Sequence, residues 1–275
     1  MDFYSDAENE ILKINGLTRE WGFELYPYQE EYIKHIYSNN CVCAIKARCT
    51  GYSTAYLLHS VFLLHKTYKT GKEAYDNCTF VAVLPNEASL KRSERFLNQV
   101  LRMFDDADFA VTAMKHYRLL TPGMIRTRMI GFPRREITEL YLDEYAYFPE
   151  DTDLSLFDYS FIVNKLIGAT TLNKGVSTAQ EFINKFSKGH PDTIFTPWYE
   201  CPKFNKNLKW ERLGIVQREP TIDDNGNVEY DREKWRKMIS EFWNPTNEWF
   251  EEFCHMELPT TEQELNCKNG QQLLF

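Results

Sequence analysis

The sequence contains no apolar run long enough to span a membrane, and its first residues, Met1-Asp2-Phe3-Tyr4-Ser5-Asp6, are acidic and unlike a secretory signal. A basic excess is also missing. The 32 Lys and Arg are outnumbered by 40 Asp and Glu, giving a net charge of −8. That excludes a surface coated in cations for gripping nucleic acid, though not a local basic patch. The seven cysteines include no pair with zinc-ligand spacing and partners. They read as reduced thiols in a cytoplasmic compartment, so Asn77-Cys78-Thr79 is not expected to carry a glycan. There are no internal repeats and no low-complexity segments. What remains is ample core material: 43% hydrophobic and 15% aromatic residues in 275, enough for one large domain or a domain with an appendage.

One further absence is local. Cys41 to Thr54 reads CVCAIKARCTGYST, an apolar strand, a short loop and the start of an apolar-periodic helix. The loop ends in Gly51-Tyr52-Ser53-Thr54, where a phosphate-binding loop would have Gly-Lys-Ser/Thr. Tyr52 stands in the lysine's place. Cations occur upstream instead, Lys46 at the first loop position and Arg48 two residues on. Either the phosphate-binding cation has moved upstream, or the loop binds no phosphate.

Before this stretch, a helix is expected near Glu8 to Leu17 and another through Ile33 and Ile36. Gln29 follows an aromatic-proline turn, and its amide could both donate to and accept from an adenine edge; it could equally be an exposed residue at a helix start. After the loop, the helix from Ser53 carries Leu57, Leu58, Val61, Phe62 and Leu64 on its inner side. His65, Lys66 and Lys69 complement the dipole at its end. Thr79 to Leu84 is a second strand. A helix follows, with Leu90, Phe96, Leu97, Val100, Leu101 and Phe104 inward and Lys91, Arg92 and Arg95 outward. The basic stretch 109–135 is expected to form short strands or hairpins.

Glu139 to Glu144, reading ELYLDE, is an apolar strand ending in two carboxylates. In a parallel sheet both emerge at the carboxyl edge, where ligands bind. Asp143 could hold magnesium and Glu144 could orient and deprotonate a water. The same pair could simply cap the next helix. A third strand from Lys165 ends in Thr170-Thr171-Leu172-Asn173, placed to sense a γ-phosphate or merely to turn. Residues 178–188 should be helical. From Thr196 the chain becomes rich in Pro and aromatics. A hairpin is expected around Asp223-Asp224-Asn225-Gly226, flanked by Ile222 and Val228, then helices at 232–243 and 248–256 and a polar tail from Leu258.

The succession Gln29, Lys46 to Thr54, Asp143-Glu144, Thr170 to Asn173 and Thr196-Pro197-Trp198 resembles the ATPase part of the large terminase subunit, the DNA-packaging motor of tailed bacteriophages. Lys46 with Gly51-Tyr52-Ser53 is similar to the deviant Walker A motif of the lambda-like branch. Leu140 to Glu144 resembles its Walker B motif, and Thr170 to Asn173 its coupling motif, with Leu172 where a proline is usual.

The resemblance implies an α/β P-loop NTPase fold of the ASCE/RecA-like class, with a mainly parallel sheet. It implies an ATPase core over 1–200, a lid over 201–257 packing with the N-terminal segment, and a linker over 258–275. It implies that ATP is cradled by Gln29, Lys46, Ala47, Arg48, Cys49, Thr50, Gly51, Tyr52, Ser53, Thr54, Thr170 and Thr171. Ser53 and Asp143 then serve Mg2+, and Glu144, Arg48 and Lys46 act in catalysis. Its expected partners are double-stranded DNA, a portal protein, a small terminase subunit and further copies of itself in a five-membered ring, in the host cytoplasm and not at a membrane. The family's nuclease domain has no counterpart after Met256, so a truncated, split or shortened form is expected. Two other readings fit the same residues: a helicase-like ATPase moving on nucleic acid, and a degenerate P-loop protein serving as a docking module.

Overall fold

The structure, a computed structural model, describes residues 4–46, 50–124, 137–149, 152, 163–171 and 192–196, with the backbone of 221–222 and 228–229. Two helices, α1 (Ala7–Arg19) and α2 (Pro27–Ser38), lead into strand β1 (Cys41–Lys46) and helix α3 (Tyr52–Thr70). A short α4 (Lys72–Asp76) precedes β2 (Phe80–Val83), α5 (Glu87–Leu101), α6 (Ala107–Ala113) and β3 (Tyr117–Leu120). Then come β4 (Ile137–Asp143), β5 (Val163–Thr170) and β6 (Asp192–Thr196). These six strands form one sheet in the order β3-β2-β4-β5-β1-β6, with every neighbouring pair parallel. β4 is buried along its whole length and β2 likewise, as strands covered on both faces must be. Because the strands run one way, Lys46, Asp143, Thr170 and Thr196 all reach the same carboxyl edge. The expected α/β class with a parallel sheet holds.

The local signals account for most elements. Asp6 caps α1, and Asn86, just after Pro85, caps α5 by accepting the Ser89 N–H at 2.9 Å. The expected hairpin is present as β7 (Thr221–Ile222) pairing antiparallel with β8 (Val228–Glu229), Ile222 opposite Val228. Three expectations need correction. Residues 107–113 are helical, because Asp106 supplies an N-cap and Phe109 and Ala113 share one buried side; β3 is a short strand, as expected for this stretch, and pairs parallel with β2. Phe104 lies beyond the end of α5, yet still packs on Phe62 and His65. Finally, α3 has no single inner side: Ala55, Tyr56, His59, Ser60 and Leu63 are as buried as the five residues assigned inward. It is the central helix of the layer, touching α1, α2, α5 and α6. Expected helices at 178–188, 232–243 and 248–256 lie outside the described residues, as does the tail. Among the described residues, no helix is long and apolar enough to cross a membrane.

Under α2 and α3 the sheet carries buried charge. Glu139 and Lys165 are direct neighbours across β4 and β5. The Lys165 ammonium donates to the carbonyls of Ile36 at 2.6 Å and Asn39 at 2.7 Å, so it closes the C-terminus of α2 with a cation. Glu139 Oε1 accepts from the Tyr4 hydroxyl at 2.9 Å and lies 2.9 Å from His59 Nε2. Lys165→Met should therefore lower folding stability by about 1.5–3 kcal/mol, the range for hydrogen bonds to charged groups, measured by urea unfolding. An unchanged midpoint would show that the α2 carbonyls find another partner.

Candidate functional site

The carboxyl edge gathers most of the expected residues. β1 delivers Lys46, whose side chain is 3% exposed. Its ammonium donates to Glu144 Oε1 in a short ion pair and to Thr171 Oγ1 at 3.2 Å. Glu144 follows the end of β4 in the left-handed region, φ 50°, which for a non-glycine residue costs on the order of 1 kcal/mol. The strain is held from two sides. The Glu144 N–H donates to Ala169 O at 2.8 Å, and its Oε2 accepts the Thr171 N–H at 2.8 Å. Thr170 braces the following turn, its hydroxyl accepting the Ala146 N–H at 3.1 Å. Glu144 thus has both carboxylate oxygens occupied: one by the cation, one by the strand-end amide.

Beside this pair, Ser53 Oγ donates to Asp143 Oδ1 at 2.7 Å, and the Tyr141 hydroxyl donates to the same oxygen at 2.8 Å. Burial, and then the neighbouring Glu144 charge, push the Asp143 carboxyl up to about 6, while Lys46, Ser53 and Tyr141 pull the other way. A buried carboxylate held at this cost, with a hydroxyl against it, is a hard-oxygen donor set. It suits Mg2+, which takes one or two protein oxygens and completes its shell with water and phosphate. Tyr141 was not foreseen. Its signal was available, since residues two apart on a strand share a face.

The loop is fixed at its far end. The Thr50 carbonyl accepts from Gln29 Nε2 at 2.9 Å and from the Tyr28 hydroxyl at 2.8 Å. Gly51 adopts φ +79° and caps α3, whose first internal bond runs from the Ala55 N–H to Gly51 O at 3.0 Å. The N–H groups before Ala55 therefore point out of the helix towards the loop, the usual setting for a phosphate. Thr54 lies half-buried in that first turn. Ala47, Arg48, Cys49, Leu172 and Asn173 are outside the described residues. A Cβ on Gly51 would lie 2.6 Å from Gln29 Nε2. Gly51→Ala should accordingly cost about 1–2 kcal/mol, from the left-handed backbone and the displaced amide, and weaken any ligand held by the loop. Melting temperature and nucleotide binding read the two effects; an unaltered pair of values would show the loop can re-form without glycine.

Gln29 is 6% exposed and spans two backbone groups: Oε1 accepts the Tyr26 N–H at 3.0 Å while Nε2 holds Thr50 O. Its amide nitrogen retains a second hydrogen for other work. Tyr52 is 1% exposed and turned into the protein, stacked on Tyr28 at 5.9 Å and edge-on to Tyr32 at 4.6 Å. Its hydroxyl makes a short hydrogen bond with Thr196 Oγ1. Thr196 belongs to the motif succession read from the sequence, but this contact with Tyr52 has no local signal.

No protein-family profile matches the chain, and no curated protein does. Solved structures do. The large terminase of bacteriophage HK97 matches over 92% of this chain and 55% of its own, at 12% identity and a TM-score of 0.53. The DUF1998 helicase MrfA matches over 95% of this chain and 44% of its own, at 10% identity and a TM-score of 0.50. The large terminase ATPase domain of Thermus phage P74-26 matches over 76% of this chain and 93% of its own, at 12% identity and 0.46. The chain thus spans about half the length of the first two. At these identities the likeness concerns the fold alone, an α/β architecture with a parallel sheet.

Proposed function

We propose that this chain is the ATPase motor domain of a terminase large subunit, hydrolysing ATP to drive double-stranded DNA into a procapsid. The observation that carries the reading is the meeting of Lys46, Glu144 and the Ser53–Asp143 pair at one carboxyl edge. It supplies a cation for phosphate, a carboxylate for water and an oxygen set for Mg2+ without a lysine at position 52.

Phosphoryl transfer depends mostly on positioning and charge neutralisation, so the cation's place in sequence is free provided its ammonium reaches the β- and γ-phosphates. In this mechanism Lys46 leaves Glu144 for the phosphates. That transfer frees Glu144 Oε1 to accept the proton of the attacking water, while the Thr171 N–H keeps hold of Oε2. The base is silent while the phosphate site is empty and becomes available as it fills. Asp143 and Ser53 would hold Mg2+, which offsets phosphate charge. Arg48 adds positive charge from the loop, and Gln29 directs its remaining N–H to adenine. Tyr52 contributes no charge.

The wider proposal includes a core over 1–200, a lid over 201–257 and a linker over 258–275. It includes assembly as a five-membered ring on a portal, with a small terminase subunit, in the host cytoplasm. The likeness to MrfA supports a second reading, an ATPase that moves on nucleic acid without a capsid. Measuring ATP hydrolysis alone, with double-stranded DNA, and with DNA plus portal separates them. Stimulation that needs the portal supports packaging. Stimulation by DNA alone, with strand separation, supports the helicase reading, and no hydrolysis under any condition removes both.

A further inference from the structure

Tyr52 occupies the position where a lysine was expected, and the proposed mechanism gives it no task. Its surroundings do. The ring is enclosed by Tyr28 and Tyr32, and the hydroxyl is bonded to Thr196 at the last residue of β6. Thr196 is itself 1% exposed and is the register partner of Lys46 across β1 and β6. Both ends of the loop therefore meet one residue. Lys46 is tied to Thr196 by the strand ladder, and Tyr52 by its hydroxyl.

The next residue, Ser53, is bonded to Asp143 on β4. The first turn of α3 is thus held between an edge strand and a central strand, and its rotation cannot change without breaking one bond. We propose that Tyr52 is a positioning residue: by fastening the start of α3 to Thr196, it sets the Ser53 hydroxyl for the divalent cation and makes that setting follow the end of β6. The inference rests on the reading of this edge as an Mg2+–nucleotide site. It explains why the loop does without a lysine here. A side chain at 52 enters the tyrosine cluster, so the position belongs to the scaffold and the phosphate cation must come from elsewhere.

The test is a double-mutant cycle on nucleotide binding. A fluorescent ATP analogue is titrated into the full chain without divalent ions, then at rising Mg2+. Tyr52→Phe keeps the ring and deletes the hydroxyl; Thr196→Val deletes the partner hydroxyl. Each should raise the Mg2+ concentration for half-maximal effect about three- to tenfold, the consequence of one lost hydrogen bond. The double variant should be no worse than either single one. A residue that merely stabilised the fold would lower the melting temperature without moving the Mg2+ dependence. Unmoved Mg2+ dependence in either single variant, or additive losses in the double variant, overturns the inference while leaving the nucleotide site standing. Failure of the wild-type chain to bind the analogue at all refutes the proposed function, and this inference with it. As a further arm, Tyr52→Lys placed in Lys46→Ala should not restore binding; restoration would show that position 52 does face the phosphates.

Discussion

Glu144→Gln is expected to lower steady-state ATP hydrolysis by at least about a hundredfold, the lower bound for loss of a positioned general base, and to bind ATP more tightly than the wild type. The first effect follows from chemistry, since an amide does not accept the proton of the attacking water. The second follows from geometry. If Lys46 serves the phosphates, they compete with Glu144 for its ammonium. An amide oxygen offers a neutral acceptor in place of a carboxylate, so the lysine leaves at lower cost. A gain of about three- to tenfold in affinity corresponds to weakening that one contact by about 1 kcal/mol. Single-turnover hydrolysis and equilibrium binding measure the two separately. Turnover within a few fold of wild type would remove Glu144 from the base role. Weaker binding would show that the ion pair does not oppose the nucleotide.

Much of this site could be read from the chain itself, because its parts are local. An apolar strand that ends in Asp143-Glu144 announces two acids at a sheet edge, and a strand-loop-helix with Gly51 announces its turn. What escaped was set by contacts between distant residues. Glu139 and Lys165 each look like an ordinary charge within a strand; only the β4–β5 register places them side by side, and only α2 gives Lys165 its acceptors. His59 and Ser60 are met inside the protein by Glu139 and Tyr117, which lie on strands far from them in sequence. Tyr52 was read as a missing charge, since nothing near it in sequence points to Thr196, 144 residues away. The helix over 107–113 was overlooked for a different reason. Its cap, Asp106, is present in the sequence, but a helix of 7 residues is too short to display a helical period.

Lys46→Ala carries the larger consequence for the family of readings considered, because it separates a displaced phosphate cation from a buried structural one. If Lys46 serves the nucleotide, its loss should weaken ATP binding about tenfold or more, one charge-assisted bond in a largely dehydrated site being equivalent to about 1.5–3 kcal/mol. The fold should tolerate the change, since Glu144 is about a quarter exposed and retains the Thr171 N–H. A structural lysine would give the reverse pattern, a depressed melting temperature and little change in affinity. The decisive comparison is with Lys46→Ala/Glu144→Gln. The tighter binding expected of Glu144→Gln arises only by releasing Lys46, so it should vanish when Lys46 is already absent. If Glu144→Gln still strengthens binding in the alanine background, removal of a negative charge near the phosphates is the whole effect. The exchange of Lys46 between carboxylate and phosphate would then play no part in opening the site.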